Sequence, residues 1–291
     1  MRLRERLARG EFVITCEAAP PKGTDVRPAL EAVHKLAAKV HAFNVTDLQS
    51  SVLRMSSWAL CALLKREGFE PILQMTCRDR NRLALQADLL GAWALGIDNV
   101  LALTGDHPVL GDHPQAMPVF DLDSVQLIAA IQALNSGRDL AGNELAGRTD
   151  FFVGAAVNPT AEPLEPHLAK LQLKVRLGVG FVQTQVVYDP QAFLRFVQRL
   201  DGIKVPVLVG IIPLKSAKMA RFMNEHIAGV HVPEEIVREM EKAKTPEERR
   251  ARSVEICARI IRAVRPYCQG IHFMPMGWED CVPDILELAG I

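Results

Sequence analysis

Carboxylates, amides and imidazoles recur in this chain directly after, or late within, short apolar runs. These side chains can move protons, accept hydrogen bonds or stabilise a developing charge. If the runs are neighbouring strands of one barrel, their ends meet at one site. The polar residues in these places are Glu17, Thr46, Asp47, Thr76, Asp106, His107, Asn158, Gln185 and His272.

Glu17 has the surroundings of a general acid. It follows the apolar run at 12–16 and precedes the sequence Ala-Ala-Pro-Pro. An apolar environment disfavours the charged carboxylate, so we expect a raised pKa, which suits proton donation near neutral pH. The alternative is that Glu17 forms a structural ion pair with a neighbouring Lys or Arg.

The tetrapeptide Gly-Asp-His-Pro occurs twice between residues 105 and 114. Two aspartates and two histidines raise the question of a metal site. Adjacent Asp-His pairs point apart, however, and metal-dependent barrels usually collect their ligands from several strands. We therefore favour a proline-stiffened polar loop and predict no metal site.

Two basic features allow more than one interpretation. Residues 76–81, Thr-Cys-Arg-Asp-Arg-Asn, place two arginines beside an aspartate. They could bind a phosphate or carboxylate, or form an ion-pair network where a helix begins. Lys174 lies between apolar residues of a predicted helix, and its spacing alone predicts a surface lysine whose ammonium group reaches water.

The elements that must position these residues are eight apolar runs that alternate with helical patterns. Most of the runs are continuously apolar, which is typical of strands buried on both faces. Helical patterns end at glycines such as Gly68 and Gly96, and residues 245–248 have the form of a capping box. The predicted strands are 11–16, 42–46, 71–76, 99–104, 151–157, 181–187, 205–212 and 270–274.

This alternation predicts an α/β protein with a (β/α)8 TIM barrel that forms one domain over residues 1–291. The alternative is an open doubly wound sheet, but the glycine fingerprint expected after its first strand is absent. A short helical insert is expected at about 233–244, before the last long helix, and a terminal helix at 284–291.

Composition argues against several classes of protein. Lys plus Arg and Asp plus Glu both number 34, so no overall charge attracts nucleic acid or an acidic membrane. The six cysteines form no Cys-x-x-Cys pair, and we expect them to be reduced in a cytoplasmic protein. We expect neither a signal peptide nor a membrane-inserted helix, because no apolar run is long enough.

Five motifs follow one another on successive strand ends, and their order carries more information than any one of them. They are Glu17-x-x-Pro20-Pro21-Lys22, Leu103-Thr104-Gly105-Asp106-His107-Pro108, Lys174 with Gly178 and Thr184-Gln185, Gly210-Ile211-Ile212-Pro213, and Gly270-Ile271-His272-Phe273. In this order they resemble the bacterial methylenetetrahydrofolate reductases, from about residue 7 to the end of the chain.

The resemblance implies a barrel that binds FAD or FMN noncovalently and reduces 5,10-methylenetetrahydrofolate to 5-methyltetrahydrofolate. Glu17 matches the general acid that protonates the folate and opens its five-membered ring to an iminium cation. Asp106 matches a carboxylate that helps to bind folate and tunes the flavin, and Gln185 matches a glutamine that contacts the pterin. The implied cofactor-binding residues are Thr46, Gln74, Thr76, Thr104, Gly105, Asp106, Asp123, Ala156, Asn158, His167 and Lys174.

The chain departs from the family pattern at four of these cofactor positions. Gln74 stands where the family has histidine, and Thr104 where it has arginine. Asn158 replaces a tyrosine, and His167 replaces an aspartate. Several of these positions contact the adenine end of FAD in the family, which keeps FMN open as the alternative.

The electron donor is a further point of departure. Many NADH-using members have a phenylalanine where this chain has Ala217, so the aromatic face that stacks on nicotinamide is missing. Segments 54–57 and 77–82 resemble the branch found in acetogens and in fused methyltransferase–reductases. Members of that branch often work with a second subunit that binds zinc or iron–sulfur centres. The resemblance thus implies electrons from such a partner, with NAD(P)H as the alternative donor.

Two other functions are compatible with the same residues. One is a cofactor-free barrel methyltransferase that binds a pterin, and the other is a noncatalytic electron-transfer or scaffold subunit of a one-carbon complex. The sequence leaves open a homo-oligomer, and it leaves open whether the reaction serves methionine synthesis, acetogenesis or its reverse.

Overall fold

The structure, a computed structural model, describes residues 1–200, 202–227 and 229–291. Within these residues, eight parallel strands close into one barrel in the order in which they follow one another along the chain. The predicted TIM barrel is therefore confirmed, and the open doubly wound sheet is excluded. The strands are β1 (Val13–Ala18), β2 (Ala42–Val45), β3 (Pro71–Thr76), β4 (Asn99–Leu103), β5 (Phe152–Val157), β6 (Phe181–Val186), β7 (Val207–Ile211) and β8 (Gly270–Phe273).

Helices surround this barrel, and several begin and end where the sequence predicted. Gly68 and Gly96 have φ angles of 84° and 80°, the left-handed conformation that terminates a helix at little cost in glycine. The Thr245 side chain accepts a hydrogen bond from the Glu248 backbone N–H, and the Glu248 side chain accepts one from the Thr245 backbone N–H. The predicted capping box is therefore present. In the described residues the helices are α1 (Leu3–Ala8), α2 (Arg27–Leu36), α3 (Ser57–Arg66), α4 (Arg82–Ala94), α5 (Ser124–Asn135), α6 (Glu165–Arg176), α7 (Pro190–Gln198), α8 (Ala217–His226), α9 (Glu234–Lys242), α10 (Pro246–Val264) and α11 (Cys281–Ala289).

Helix α9 is the predicted insert before the last long helix, α10. The terminal helix α11 begins three residues earlier than expected, at Cys281, and packs on α10, where Arg250 forms an ion pair with Asp284 at 2.7 Å. Six buried cysteines remain free thiols among the described residues. No helix in the described part of the chain is both long and apolar enough to cross a membrane.

One strand boundary changes the interpretation of the site. Strand β1 runs to Ala18, two residues beyond the predicted end, so Glu17 lies within the strand and not after it. The extension follows from pairing with β2, in which Glu17 aligns with Asn44 and Ala18 with Val45. Glu17 is therefore held by the barrel wall itself.

The amino-terminal end of the barrel is closed by α1. Leu3 and Leu7 are buried in a second apolar cluster with residues from the first three positions of six strands. Those strand residues are Val13, Ala42, Ile72, Leu101, Phe181 and Leu208. The barrel interior is thus packed at this end, and the space for a ligand lies at the opposite, carboxyl end.

Candidate active site

A cavity of about 390 Å³ opens at the carboxyl end of the barrel. Its walls combine apolar side chains with a few polar groups, the composition that is typical of small-molecule sites. The apolar lining consists of Leu101, Leu103, Ala156, Val157, Leu171 and Met274. The polar lining consists of Glu17, Gln74, Asp106, Asn158, His167, Lys170, Lys174, Gln183, Thr184, Gln185 and His272.

Eight of the predicted site residues therefore meet in one cavity, although they come from six different parts of the barrel. They are Glu17, Gln74, Asp106, Ala156, Asn158, His167, Lys174 and Gln185. The other five predicted residues, Thr46, Thr76, Thr104, Gly105 and Asp123, do not line it. Thr104 and Gly105 lie beside the lining residues Leu103 and Asp106, and Asp123 pairs with Lys170.

Glu17 is partly buried at the cavity and accepts a hydrogen bond from the Gln49 amide at 3.1 Å. Burial raises its pKa to about 7, and the Gln49 hydrogen bond opposes that rise. No Lys or Arg in the described residues forms an ion pair with Glu17, which removes the structural alternative. A carboxyl group with this pKa is protonated often enough at neutral pH to act as an acid.

The loop that carries Asp106 is tied to its neighbours through its backbone. The Asp106 carbonyl accepts from the Ser51 hydroxyl at 3.1 Å and from the Arg78 guanidinium at 3.3 Å. Gly105, at φ 92°, brings this loop so close to β3 that a Cβ would lie 3.0 Å from the Thr76 Cβ. Any other residue would be strained at this φ and crowded against Thr76, so Gly105 acts by placing Asp106.

The arginines at 78 and 80 form an ion-pair network. Arg78 is 2% exposed and binds the Asp79 carboxylate at 2.8 Å. Arg80 pairs with Asp88 at 3.2 Å and also with Asp47. Their charges are thus compensated within the protein, which confirms the ion-pair interpretation of this segment over a phosphate site.

Asp47 is the central acceptor of this network and fixes the end of β3. It accepts from both the backbone N–H and the hydroxyl of Thr76, each at 2.9 Å. The Thr76 hydroxyl is therefore engaged by Asp47. Thr46, the neighbour of Asp47, is fully buried, and its hydroxyl has no hydrogen-bond partner in the described residues.

One face of α6 supplies positive charge to the cavity. His167, Lys170, Leu171 and Lys174 are spaced three or four residues apart and all line it. Lys170 forms an ion pair with Asp123 at 3.2 Å, and Asp123 also caps the start of α5. The Thr104 hydroxyl supports the same helix start by accepting from the Ser124 N–H at 3.2 Å.

Lys174 is buried, which contradicts the expectation of a surface lysine with its ammonium group in water. It is 6% exposed and donates to the Ala156 carbonyl at 2.9 Å. Burial, together with the charge of Lys170, lowers its pKa to about 8. Spacing along α6 could not reveal this, because barrel closure decides which helix face meets the cavity.

Two amides at the rim have different roles. Gln185 lines the cavity, and its side-chain oxygen accepts a hydrogen bond from the neighbouring Val186 N–H at 3.0 Å. Asn158 accepts from the Thr160 backbone at 3.0 Å and donates to the Gly229 carbonyl at 3.1 Å. Asn158 therefore joins the β5 loop to the segment after α8.

Sequence reasoning missed a polar layer beneath Glu17 and Gln185. Thr15, Asn44 and Gln183 are buried, and they form hydrogen bonds with one another and with His272. A signal was available, because strand residues two apart face the same side. Thr15 lies two residues before Glu17, and Gln183 two before Gln185.

Among the described residues, no group of three or more His, Cys, Asp or Glu is placed so that it could hold a metal ion. The second Gly-Asp-His-Pro repeat connects its loop to two other segments through Asp112. Its Asp112 accepts from the Leu53 N–H at 3.0 Å and pairs with Lys22 at 2.5 Å.

Fold and site together define a parallel α/β-barrel protein with a cavity at the carboxyl ends of its strands that is lined by titratable side chains. A family model described as methylenetetrahydrofolate reductase matches residues 2–290. The chain belongs to the methylenetetrahydrofolate reductase family.

Relatives with this name come from animals, fungi and bacteria. The chain is 26% identical over 248 residues to a probable methylenetetrahydrofolate reductase (NADPH) of Caenorhabditis elegans, which covers 81% of this chain and 34% of that protein. It is 27% identical to a 5,10-methylenetetrahydrofolate reductase of Pectobacterium carotovorum over 72% of this chain and 66% of that protein. The chain thus spans between about a third and two-thirds of these relatives.

Solved structures share the barrel at low sequence identity. An uncharacterized protein from Clostridium thermocellum that binds two copies of 5-methyl-5,6,7,8-tetrahydrofolic acid has a TM-score of 0.58 and 16% identity, covering 99% of this chain and 97% of that one. A dihydropteroate synthase from Xanthomonas albilineans has a TM-score of 0.51 and 12% identity, covering 96% of this chain and 92% of that one. At these identities the likeness shows the fold.

Proposed function

We propose that this chain reduces 5,10-methylenetetrahydrofolate to 5-methyltetrahydrofolate with a noncovalently bound flavin, FMN or FAD, and with Glu17 as the general acid. The observation that carries the proposal is the protonatable Glu17, whose burial raises its pKa to about 7 in the cavity of a family member. The folate bound by the Clostridium thermocellum barrel supports folate as the ligand to test first.

The residues around the cavity fit a flavin in two respects. The buried Lys174 ammonium has one recorded partner, the Ala156 carbonyl, and can donate further. The α6 face adds His167 and Lys170, whose donors suit a phosphate group. When bound and reduced, the flavin would supply the hydride.

Glu17 would hold the proton that opens the folate ring. A protonated carboxyl can donate to the folate nitrogen, after which the five-membered ring opens to an iminium cation. Burial keeps a fraction of Glu17 protonated at neutral pH, where an exposed glutamate would be ionised.

Asp106 and Gln185 would orient and stabilise the folate. A carboxylate near the iminium cation lowers its energy electrostatically, and Asp106 lies at the same cavity as Glu17. The Gln185 amide group can donate to acceptor atoms along the pterin edge, because only its oxygen has a recorded partner.

The absorption spectrum of the purified protein, loaded with FMN or FAD, tests the proposal. We expect a yellow protein that is bleached by dithionite and regains its colour when methylenetetrahydrofolate is added. Glu17→Gln should keep the flavin spectrum but slow this reoxidation by about 10²–10⁴-fold. Glu31→Gln, at an exposed position on α2, is the matched control and should reoxidise at the wild-type rate. A protein that binds neither flavin contradicts the proposal.

We further propose that the electrons arrive from a partner subunit with zinc or iron–sulfur centres. Ala217, the first residue of α8, offers no aromatic face for nicotinamide. The isolated, flavin-loaded chain should therefore oxidise NADH or NADPH far more slowly than it is reoxidised by methylenetetrahydrofolate. If the isolated chain oxidised NADH as fast as its reduced flavin is reoxidised by methylenetetrahydrofolate, the proposal that a partner supplies the electrons would be wrong.

A further inference from the structure

His272 lies on the floor of the cavity and is the end of a buried chain of hydrogen bonds. The side chain is 3% exposed and lines the cavity. Its Nδ1 lies 3.0 Å from the Thr15 hydroxyl. Among the described residues, its other nitrogen, Nε2, has no recorded partner. One ring nitrogen is thus held by the barrel, and the other remains for a ligand.

The partners of Thr15 determine which nitrogen of His272 carries the proton. Gln183 donates through Nε2 to the Thr15 hydroxyl at 3.3 Å. The Thr15 oxygen therefore acts as an acceptor toward Gln183, and its own single proton remains to be donated. The Ile271 carbonyl, at 3.5 Å, is too distant for a strong O–H···O bond, whereas Nδ1 of His272 is at 3.0 Å.

The orientation of Gln183 is set by Asn44 across the barrel. Asn44 donates to the Gln183 oxygen at 2.7 Å, and Gln183 donates to the Asn44 oxygen at 3.0 Å. This reciprocal pair directs the Gln183 NH2 group toward Thr15. If both amides were flipped together, every hydrogen bond from Asn44 to His272 would reverse its donor and acceptor. The position of the proton on His272 therefore reports the orientation of the Asn44–Gln183 pair.

We propose that the hydrogen-bonded residues Asn44, Gln183 and Thr15 fix His272 as the Nε2–H tautomer. In this tautomer His272 donates a hydrogen bond to an acceptor atom of the heterocycle bound in the cavity. The identity of that heterocycle, a flavin or a pterin, rests on the proposed function. Both ring systems carry carbonyl oxygens and unprotonated nitrogens that accept such a bond.

The role that follows is that of a neutral donor. Burial lowers the pKa of His272 to about 3, so the ring is neutral throughout the range in which Glu17 titrates. A neutral Nε2–H binds an acceptor without bringing a second charge to the cavity floor. His272 is thus a binding residue, whereas Thr15, Asn44 and Gln183 are positioning residues that act through it.

The tautomer can be measured directly by NMR on protein with ¹⁵N-labelled histidine. We expect the His272 signal, assigned by its loss in His272→Gln, to show a proton on Nε2 and none on Nδ1 between pH 6 and 8. Adding FMN, FAD or 5-methyltetrahydrofolate should shift the Nε2–H resonance. A proton on Nδ1 in the ligand-free protein would overturn the inference. So would an Nε2–H resonance that does not shift when a ligand binds.

Variants of Thr15 separate positioning from packing. Thr15→Val keeps the shape but removes the hydroxyl, and it should allow both tautomers and weaken ligand binding about 3- to 10-fold, the value of one neutral hydrogen bond. Thr15→Ser restores the hydroxyl and should restore both the tautomer and the affinity. His34→Gln, at an exposed histidine of α2, should change neither.

Failure of this inference differs from failure of the proposed function. The tautomer is measured on ligand-free protein, whereas the proposed function fails if the protein binds no flavin or if reduced flavin is not reoxidised by methylenetetrahydrofolate. If Thr15→Ser behaves like Thr15→Val, the hydroxyl does not position His272, and the inference is wrong.

Discussion

At the scale of single residues, burial moves three cavity side chains toward their neutral forms. It raises the pKa of Glu17 to about 7, lowers that of Lys174 to about 8 and lowers that of His272 to about 3. Removal from water disfavours the charged form of each group, whatever its sign. Near neutral pH the cavity therefore holds a neutral His272, a partly protonated Glu17 and a Lys174 that is still mostly charged.

The pH dependence of folate reduction should follow Glu17. The acid acts in its protonated form, which predominates below its pKa of about 7 and is lost as the pH rises above it. The rate of reoxidation of reduced flavin by methylenetetrahydrofolate should fall about tenfold per pH unit above this pKa. Stopped-flow measurements from pH 5.5 to 9 would show the break, and Glu17→Gln should lack it. A wild-type rate that is flat across pH 7 would remove Glu17 from the proton transfer.

Lys174 should contribute to the affinity for the flavin. Replacing it by Met removes a buried donor and positive charge, and we expect flavin to bind about 10- to 100-fold more weakly, as measured by quenching of flavin fluorescence. Because its pKa is about 8, the charge is present below that pH, and wild-type affinity should decline above it. Lys218→Met, at an exposed position on α8, is the control and should bind like wild type. Equal affinities in Lys174→Met and wild type would place the flavin elsewhere.

At the scale of elements, Arg78 connects the loops that follow three neighbouring strands. Its guanidinium donates to the Leu48 carbonyl after β2 at 3.2 Å and to the Asp106 carbonyl after β4 at 3.3 Å. It also binds Asp79, beside it in the loop after β3. The position of Asp106 at the cavity thus depends on an arginine that does not itself line the cavity.

Arg78→Met should loosen the loop that carries Asp106. Removal of the buried guanidinium, which donates to two loop carbonyls and to the partly exposed Asp79, should lower the free energy of unfolding by about 1–3 kcal/mol. Cleavage within residues 104–120 by a protease should accelerate. Folate binding should weaken more than flavin binding, because we propose that Asp106 binds the folate. The control Arg82→Met breaks the ion pair between Arg82, which is largely exposed, and Asp121. It should lower the free energy of unfolding by less than about 1 kcal/mol. Loop protection unchanged in Arg78→Met would contradict the role of Arg78.

At the scale of the whole molecule, the barrel has one packed end and one open end. Leu3 of α1 is fully buried against the strand starts, and its backbone N–H donates to Glu70 at 3.1 Å. Packing at this end fixes the strands, while the carboxyl end keeps space for ligands. Stability and binding are thus concentrated at opposite ends.

Leu3→Ala should therefore destabilise the barrel without altering the site. We expect a loss of about 2–5 kcal/mol in the free energy of unfolding, measured with urea, because a cavity replaces buried methyl groups. The flavin affinity of the folded protein should remain that of wild type. Leu288→Ala, at a residue that is 44% exposed on α11, should change stability by much less. Weaker flavin binding in folded Leu3→Ala would show that the two ends are coupled.

The sequence by itself determined the eight strands, the glycines that end helices and the apolar setting of Glu17, because these depend on residues close together in the chain. It also determined the family, through the order of motifs on strand ends, and this was confirmed. Pairing with β2 decided that Glu17 lies inside β1, and barrel closure decided that Lys174 is buried. The hydrogen bonds between Asn44 and Gln183 join residues 139 positions apart, and only the closed barrel brings them together.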